Sequence, residues 1–337
     1  MSQTVDAGEI DRAARLLRAG RLVAFPTETV YGLGANALDA EAVSRIFAVK
    51  GRPATSPLIV HVDSIDLAQS LVANWPEIAD RLVRRFWPGP LTLVLTKPHV
   101  GADAFVRPAE PSSATLTSSV IPAIVTAGLP TVALRMPAHP IALALIRAAG
   151  VPLAAPSANR FTELSPTTAE HVRRSLGSEV DFILDGGPCQ VGIESTVLLL
   201  AHPGPVLLRP GGISRRELEA IVGPIASPYE VQAGAHPAPG MHPRHYSPRT
   251  ALYLVTNGKV PDQGQGQGIY LRHQHPPSRT NITIRQMPQS AGDYAAALYE
   301  ALHQADAGNY NWIAVDIPPS TPEWEAIHDR LRRAAAK

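Results

Sequence analysis

The hydrophobic pattern of the first two thirds of the chain alternates between short apolar runs and stretches with helical spacing. Residues 21–25, 58–62 and 91–95 are apolar runs bounded by polar residues, and each predicts a strand. Residues 39–49 repeat apolar side chains on one helical face behind Asp39, a favourable N-cap residue, and predict a helix. This alternation favours an α/β unit built on a mixed sheet.

The same criteria extend this unit to about residue 220. An amphipathic N-terminal helix is predicted, and its apolar side is formed by Ile10, Ala13, Ala14 and Leu17. Further helices are predicted over residues 65–73, 76–86, 140–149 and 171–176, and further strands over residues 131–137, 151–159, 181–187, 194–200 and 205–212. Residues 99–118 lack a clean period and are predicted to form a lid-like excursion.

The last third of the chain predicts a second, smaller α/β unit after a linker. Residues 221–249 are rich in proline and have little apolar pattern, which is typical of a linker with semi-rigid kinks. After it, strands are predicted over residues 251–255, 268–272, 281–285 and 312–317, with a helix over 291–305 and a last helix capped by Thr321. The expected domains are therefore residues 1–220, the linker 221–249 and residues 250–337.

Composition narrows the classes of function. The chain has 337 residues, 45% of them hydrophobic, which is enough for two packed domains. Its formal net charge of +1 does not imply a strongly basic face for bulk nucleic-acid binding. The single cysteine, Cys189, excludes an internal disulfide, and it is either a buried thiol or a catalytic one. Because no apolar run is long enough to span a bilayer, we expect a cytoplasmic protein without membrane association.

The first candidate for chemistry is the tetrapeptide Lys50-Gly51-Arg52-Pro53, which lies between a predicted helix and a predicted strand. Lys50 offers a compact point charge and Arg52 a planar fork of donors. Gly51 lets the backbone approach a ligand closely, and Ser56 adds a hydroxyl nearby. Phosphate oxygens bind such a set. A helix C-terminus whose cations favour the helix dipole explains the tetrapeptide equally well.

Two more clusters follow predicted strands, where open α/β sheets bind ligands. The stretch "PTETVYGLG" (26–34) brings four hydrogen-bonding side chains within five residues, although an ordinary strand–helix loop is the alternative. It lacks the G-x-G-x-x-G pattern, so a dinucleotide fingerprint is absent. The stretch "APSAN" (155–159) places Ser157 and Asn159 two residues apart, so both can point the same way in an extended chain.

Several single residues have both a functional and a structural interpretation. Ser165 precedes a helix start, where N–H groups attract anions, but Ser165 or Thr167 can equally be a simple N-cap. Arg135 and Arg209 end apolar strands, where each binds a carboxylate or forms a structural salt bridge. His61 either contacts substrate or sits satisfied in a partly buried layer.

Taken together, these clusters closely resemble the threonylcarbamoyl-AMP synthase family, with its YrdC-like domain, in the longer two-domain form. The motifs that carry the match over about residues 8–220 are PTETVYGLG (26–34), KGRP (50–53), PLIVH (57–61), WPGPLT (87–92), VALRMP (132–137), APSAN (155–159), ESTV (194–197) and LRPGGI (208–213). The linker piece PGMHPRHYSP (239–248) and the residues after it also resemble the family's linker and accessory domain. The resemblance implies a twisted mixed-sheet domain followed by a small Rossmann-like α/β domain.

The resemblance also implies an activity. Members of the family are nucleotidyltransferases that condense L-threonine, bicarbonate and ATP to threonylcarbamoyl-AMP and pyrophosphate. The product feeds the N6-threonylcarbamoyladenosine modification of tRNA position 37, so the expected partner is the downstream tRNA threonylcarbamoyl-transfer machinery. Mg²⁺ is expected to accompany ATP as substrate, because it relies on substrate oxygens and water. No protein ligand for it is identified, and no tightly bound organic cofactor is expected.

Carried over position by position, the resemblance assigns roles to individual residues. Lys50 and Arg52 are expected to hold the ATP phosphates as the catalytic residues. The rest of the ATP site is expected to consist of Ser56, Thr131, Ser157, Asn159, Ser165, Arg209 and, folding back from the linker, Tyr246. The threonine site is expected to consist of Thr29, His61, Ala155, Ser195 and Arg135, with Arg135 on the threonine carboxylate.

Two other functions stay open at this stage. An RNA-binding module without catalysis predicts steep salt dependence, but the near-neutral charge and 5% aromatic content count against it, and weak RNA binding is compatible with the enzyme. A sugar-phosphate lyase requires clustered acidic metal ligands, and the sequence has no such cluster. Adenylyl transfer needs charge neutralisation and alignment rather than a protein nucleophile, and cations with hydroxyls supply these.

Overall fold

The computed structural model describes residues 5–98, 121–200, 204–227, 246–260 and 266–336. The described helices of the larger unit are α1 (Ala7–Arg18), α2 (Ala40–Lys50), α3 (Ile65–Ser70), α4 (Glu77–Phe86), α5 (Ala123–Thr126), α6 (Pro140–Ala149), α7 (Ala169–Leu176) and α8 (Arg215–Val222). Its described strands are β1 (Val23–Phe25), β2 (Gly32–Asn36), β3 (Ile59–His61), β4 (Leu91–Thr96), β5 (Thr131–Arg135), β6 (Leu153–Ala154), β7 (Phe182–Ile183), β8 (Thr196–Leu200) and β9 (Pro205–Arg209). The predicted excursion 99–118 and most of the predicted linker lie outside the described residues.

The strands of the larger unit form one mixed sheet. Within the described residues its order is β7-β1-β2-β6-β3-β5-β4-β8-β9. The β3–β5 and β4–β8 pairs are parallel, whereas β4–β5 and β8–β9 are antiparallel. The predicted mixed-sheet α/β architecture is therefore confirmed.

Alternation along the central strands gives the sheet two different faces. On β5, Val132 and Leu134 enter the main hydrophobic core, which lies under helices of the larger unit. Successive side chains of a strand point to opposite faces, so Ala133 and Arg135 lie on the other side. His61 on β3 lies beside Arg135 in the parallel register and shares that second face. The candidate site is built on this second face.

The boundaries of several elements differ from the sequence predictions. Residues 32–36 were predicted as loop but form β2, because antiparallel pairing with β1 and β6 stabilises a glycine-rich segment that has little intrinsic strand preference. The helix α8, which the pattern did not identify, begins with a capping box between Ser214 and Glu217. Helix α5 was also not predicted, since four residues give no measurable period.

The accessory unit has a parallel sheet with two α-helices in its described part. Its strands are β10 (Ala251–Val255), β11 (Gly268–Arg272), β12 (Thr283–Gln286) and β13 (Trp312–Asp316), in the order β10-β13-β11-β12, and its helices are α9 (Ala291–Ala307) and α10 (Glu325–Ala335). A 3-10 turn over Pro322–Trp324 precedes α10, and the Thr321 hydroxyl donates to the Glu323 carboxylate. Thr321 is thus the N-cap residue of the turn that leads into α10, with Pro322 at its first position, although its side chain makes no capping hydrogen bond to the backbone.

The two units share a hydrophobic core. Val30, Leu164 and Ile193 of the larger unit belong to the same buried cluster as α9 and α10. At Gly192, with a φ of 73°, an added Cβ would come within 2.5 Å of the Ala296 Cα on α9. The larger unit therefore approaches the backbone of α9 closely. Among the described residues, no helix combines the length and apolar character needed to cross a membrane.

Candidate active site

A cavity on the second face of the large sheet contains about 530 Å³ of space, part of it open to solvent. The cavity is lined by Thr27, Thr29, Val30, Gly32, Arg52, Ile59, His61, Arg135, Ala155, Pro156, Ser157, Glu194, Ser195, Arg209 and Tyr246. Among the described residues, its charged lining consists of three arginines and one glutamate, so this part of the cavity favours an anionic ligand.

The first of these arginines, Arg135, is neutralised within the protein. Its Nη2 lies 2.7 Å from Oε1 of the buried Glu28, and its Nε donates to the carbonyl of Gly89 at 3.3 Å. The second oxygen of Glu28 accepts the backbone N–H of Ala138 at 3.0 Å. Arg135 therefore forms the predicted structural salt bridge along one edge of its guanidinium, and the group also lines the cavity.

The second arginine, Arg52, has no carboxylate partner among the residues that the structure describes. It follows Gly51, which ends α2 with a left-handed φ of 61°, a conformation that glycine adopts at helix C-termini. Its Nη2 donates to the Pro57 carbonyl at 3.1 Å, but its buried Nε has no hydrogen-bond partner among the described residues. Burial, with a further contribution from Arg209, lowers the pKa of Arg52 to about 10. A buried donor without a partner is costly, so this position suits an anion.

The neighbouring Lys50 lies behind the cavity wall and is not part of its lining. Its buried ammonium donates to the Ser157 carbonyl at 2.6 Å and also to the carbonyl of Asn159. Burial, and then the nearby Arg52 charge, hold the pKa of Lys50 well below its usual value. In this conformation Lys50 braces the "APSAN" loop, which places Ser157 in the cavity.

The third arginine, Arg209, reaches the cavity through a β-bulge. Val197 pairs with Arg209, but the next residue, Leu198, pairs with Leu207, so β9 has one extra residue at this point. The extra residue reverses the alternation and turns Arg209 to the same face as Val197. Its guanidinium donates to the Ser195 carbonyl at 3.1 and 2.9 Å and to the Ser195 hydroxyl at 3.1 Å.

His61 is buried in the sheet layer and also lines the cavity. Burial and the adjacent Arg135 charge lower the pKa of His61 to about 3, so the ring is neutral at pH 7. Its Nδ1 has no hydrogen-bond partner in the described part of the chain. The Phe25 ring packs edge-on against it, with 6.1 Å between the centroids.

The structure brings nine of the predicted site residues together around the cavity: Thr29, Arg52, His61, Arg135, Ala155, Ser157, Ser195, Arg209 and Tyr246. Two others, Ser56 and Thr131, lie outside the lining. Ser56 precedes β3 and Thr131 begins β5, so both lie near the amino-terminal ends of two parallel strands. The cavity residues His61 and Arg135 lie at the carboxyl ends of the same strands.

The prediction that Ser157 and Asn159 point the same way is wrong. Ser157 lines the cavity, whereas the buried Asn159 turns its amide toward its own loop. The Asn159 Nδ2 donates to the carbonyls of Arg160 and Glu163, at 3.0 and 2.9 Å. Its side chain therefore fixes the loop that also receives the Lys50 ammonium.

Ser165 is buried beside the cavity wall rather than at a helix start. Its hydroxyl donates to Glu194 at 2.5 Å. The N-cap of α7 is Thr168, whose hydroxyl accepts the His171 N–H, so the N-cap interpretations of Ser165 and Thr167 are wrong.

Glu194 connects the cavity to the accessory unit. It accepts from the Tyr299 hydroxyl at 3.1 and 3.2 Å and from the Arg330 Nε at 2.6 Å. The Arg330 Cζ lies 5.1 Å from the centroid of the Tyr246 ring, which lines the cavity. Burial alone would raise the pKa of Glu194, but the Arg330 and Arg209 charges hold it below its usual value.

Sequence reasoning did not identify Tyr299 or Arg330, although a signal for Arg330 exists. The buried positions of α10 are Ala326, Ile327, Arg330, Leu331 and Ala334, which follow a helical period. Arg330 is thus the one charged residue on an otherwise apolar face, within the described α10. A buried arginine at such a position requires a partner.

The Cys189 thiol is not part of the cavity lining. Cys189 is buried, and burial raises the pKa of its thiol to about 12, in agreement with the buried-thiol interpretation. Across residues 5–98, 121–200, 204–227, 246–260 and 266–336, no three His, Cys, Asp or Glu side chains are grouped to hold a metal ion.

Comparisons with known proteins find matches in both units. A family model described as Telomere recombination matches residues 15–211, and one described as Threonylcarbamoyl-AMP synthase, C-terminal domain, matches residues 213–336. The chain is 41% identical to the Threonylcarbamoyl-AMP synthase of Bacillus subtilis (strain 168), over 97% of this chain and 93% of that protein. It is 46% identical to the protein of the same name from Pyrococcus abyssi, over 99% of this chain and 96% of that one.

A solved structure extends the likeness to three dimensions. The crystal structure of P. abyssi Sua5 complexed with L-threonine is similar with a TM-score of 0.85 and 38% sequence identity. The match covers 99% of this chain and 96% of that chain, so it includes both units.

Proposed function

The chain belongs to the threonylcarbamoyl-AMP synthase family, and from this premise we propose that its cavity aligns ATP with L-threonine. The enzyme condenses the two with bicarbonate to threonylcarbamoyl-AMP and pyrophosphate. The observation that carries the proposal is Arg52, a buried cation whose Nε has no partner among the described residues. An anionic ligand would satisfy this donor, and the relative crystallised with L-threonine supports an amino acid beside it.

The phosphate end of the proposed site is formed by Arg52, Arg209 and Ser157. The two guanidinium groups present planar forks that match phosphate oxygens, and the hydroxyl adds a neutral donor. Tyr246 would cover the nucleotide from the linker side. Four of the remaining predicted ATP-site residues, Lys50, Ser56, Asn159 and Ser165, stay in this proposal, with Lys50 beside Arg52 as a catalytic residue that holds the phosphates. Thr131 is retained as a contact near the amino-terminal end of β5.

The threonine end of the proposed site is formed around Arg135. The edge of its guanidinium that Glu28 does not occupy would receive the threonine carboxylate. His61, Thr29 and Ser195 supply a neutral ring and two hydroxyls for the polar groups of threonine, and Ala155 supplies an apolar wall.

The surrounding charges also suit the chemistry. Nearby cations disfavour the protonated form of the threonine amine, so they favour the free amine that attacks bicarbonate. Loss of water from this adduct leaves a carbamate. A carbamate oxygen then bonds to the α-phosphorus while the bond to pyrophosphate breaks, and the arginines stabilise the charge on the departing pyrophosphate. Mg²⁺ enters with ATP as substrate, held mainly by phosphate oxygens and water.

The proposal also includes the surroundings of the enzyme. In this proposal residues 221–249 are the linker between a catalytic domain, residues 1–220, and an accessory domain, residues 250–337, and from the described part of the linker Tyr246 lines the cavity. The adenylate passes to tRNA threonylcarbamoyl-transfer machinery, which acts on position 37 of tRNA. Work on such a substrate is consistent with a cytoplasmic location.

An omission experiment tests the proposed function. The protein is mixed with ATP, Mg²⁺, bicarbonate and L-threonine, and pyrophosphate release is measured after leaving out each component in turn. We expect release only from the complete mixture, and mass spectrometry should detect threonylcarbamoyl-AMP. Release that continues without threonine or bicarbonate would contradict the proposal. RNA binding with a steep salt dependence and no pyrophosphate would instead support a binding module.

A further inference from the structure

We propose that Arg330 of the accessory unit is a positioning residue for the nucleotide site. Its ion pair with Glu194 keeps this carboxylate from pairing with Arg209, so that Arg209 can bind the polyphosphate. The inference rests on the proposed function for the identity of that anion. It assigns the accessory unit a part in nucleotide binding, through one buried side chain.

The contacts of Arg330 place it directly behind the cavity wall. Its side chain is 1% exposed, and its Nε lies 2.6 Å from the Glu194 carboxylate. Its Nη1 donates to Asp329 at 2.6 Å and its Nη2 to the Pro210 carbonyl at 3.1 Å. Arg330 therefore holds both the carboxylate next to Ser195 and the backbone next to Arg209.

Glu194 is close enough to Arg209 to compete for it. Both side chains line the same cavity, and Arg209 donates to the carbonyl and hydroxyl of Ser195, the residue after Glu194. In agreement with this geometry, the Arg209 charge helps to hold the pKa of Glu194 below its usual value. The described structure nevertheless contains no salt bridge between them, because Glu194 is bound to Arg330.

Removing Arg330 would leave a buried carboxylate without its ion pair. Such a group is strongly disfavoured, and it either takes up a proton or pairs with another cation nearby. Arg209 is a cation already beside Glu194. An internal Glu194–Arg209 pair would then compete with the phosphates of the nucleotide. The expected result is weaker binding of ATP with little effect on threonine.

A purely structural role for Arg330 predicts a different result. If Arg330 only held the two units together, Arg330→Met would weaken the binding of ATP and of threonine alike. Adding Glu194→Gln would then not restore ATP binding. A matched control lies on the same helix, because Arg333 also pairs with Asp329, at 3.0 Å, but contacts Asp329 rather than Glu194.

The test measures ATP binding by calorimetry, and the KM for ATP and for threonine, in the full-length protein. Arg330→Met should weaken ATP binding about tenfold and change the KM for threonine less than about twofold. Arg330→Met combined with Glu194→Gln should recover ATP binding to within about threefold of wild type, because the competing charge is gone. Arg333→Met should bind ATP like the wild type.

The outcomes separate this inference from the proposed function. Wild-type protein that fails to bind ATP would overturn both. ATP binding that is unchanged in Arg330→Met, or equally weak in the double variant, would overturn only the role of Arg330. If Arg330→Met does not fold, ATP binding by Arg330→Lys and by the double variant tests the inference instead. Both should bind ATP within about threefold of wild type, and a tenfold loss in both would overturn the inference.

Discussion

At the scale of single residues, the three cavity arginines differ in how the protein balances their charge. Arg135 is paired with the carboxylate of Glu28, and Arg209 donates to Ser195. Arg52 donates only to the Pro57 carbonyl and forms no salt bridge within the described residues. Burial of a cation without a counter-ion is costly unless a ligand supplies the charge. Arg52 is therefore the arginine at which a bound phosphate would add the most stabilisation.

Replacing this side chain should remove transition-state stabilisation. Arg52→Met keeps most of the apolar stem and removes the donors that the departing pyrophosphate would use. We expect kcat/KM for pyrophosphate release to fall by an amount equivalent to about 2–4 kcal/mol, as when one preorganised donor is lost. Steady-state kinetics in the complete mixture measure it. Arg45→Met, on the same α2 but paired with Asp181, is the control that should keep its activity. Near-normal turnover of Arg52→Met would refute the phosphate role.

Residue types alone located most of the cavity lining but not the direction of each side chain. Arg52 and Arg135 follow from cations placed at the ends of apolar elements. Arg209 points into the cavity only because of the bulge in β9, and a single residue inserted into a pairing register leaves no mark in the sequence. Asn159 turns inward because Lys50 and local carbonyls satisfy its loop, which depends on contacts distant in sequence.

At the scale of elements, the backbone conformation at the end of α2 determines the position of Arg52. Gly51 adopts a left-handed φ of 61°, and a Cβ added there would meet nothing within 4 Å. The cost of a side chain at this position is therefore conformational rather than steric. It should appear as lost stability and as a displaced Arg52.

This cost can be isolated by a pair of glycine substitutions. Gly51→Ala should lower the free energy of unfolding by about 1–2 kcal/mol, because an L-residue is strained in this conformation. Gly292→Ala is the control. Gly292 lies in α9 without a positive φ, and its Cβ would also meet nothing within 4 Å. Gly292→Ala should raise the free energy of unfolding by up to about 1 kcal/mol, because alanine has the higher helix propensity. Urea unfolding of both variants measures the difference, and equal effects would contradict the explanation.

Elements with strong local signals could be predicted from the sequence, whereas those that depend on pairing could not. The helix α6, Pro140–Ala149, has the predicted bounds because proline opens it and Gly150 ends it. The strand β2 lacks such a signal, since its strand conformation comes from two neighbours that are remote in the sequence. The contact of α9 with the larger unit was not predicted either, since it depends on how the two units dock.

One contact between elements of the two units is sensitive to pH. His171 on α7 stacks on His303 of α9 with 3.7 Å between ring centroids, and its Nε2 lies 3.2 Å from Glu300. Burial, followed by the charges of His303 and Arg174, lowers the pKa of His171 to about 3. His303 is also lowered, mainly by burial. Both rings are therefore neutral in the folded protein at pH 7.

Acidification should weaken this contact. In the unfolded chain a histidine gains its proton near pH 6.5, so below that pH the unfolded state binds more protons than the folded state. The stability that His171 confers is complete above about pH 6.5 and is lost as the pH falls toward 3. Because the Glu300 carboxylate favours the protonated ring, the loss between pH 7 and pH 5 should stay below the roughly 2 kcal/mol of the full shift. Urea unfolding at both pH values measures it, and His171→Gln should flatten the slope. An unchanged slope in this variant would contradict the assignment.

At the scale of the whole molecule, the two units share both an apolar core and a buried ion pair. Val30 and Ile193 pack into the cluster that contains Leu298 of α9, and Glu194 binds Arg330 of α10. Units joined only by a linker would keep separate cores. Here, separating the units would expose apolar surface and leave buried charges unpaired. The units should therefore unfold together.

Two core substitutions test this cooperativity from opposite ends. Leu298→Ala opens a cavity in the shared cluster, and Ile146→Ala opens one in the separate cluster between α1 and α6. Each should cost about 2–5 kcal/mol. Hydrogen exchange is measured at β5 of the large unit and β13 of the accessory unit. If both units unfold in one global transition, either substitution lowers protection in both strands, because each lowers the free energy of that transition. Loss confined to the strand of the substituted unit would instead mean that the units open independently, and that the ion pair between Glu194 and Arg330 does not couple them.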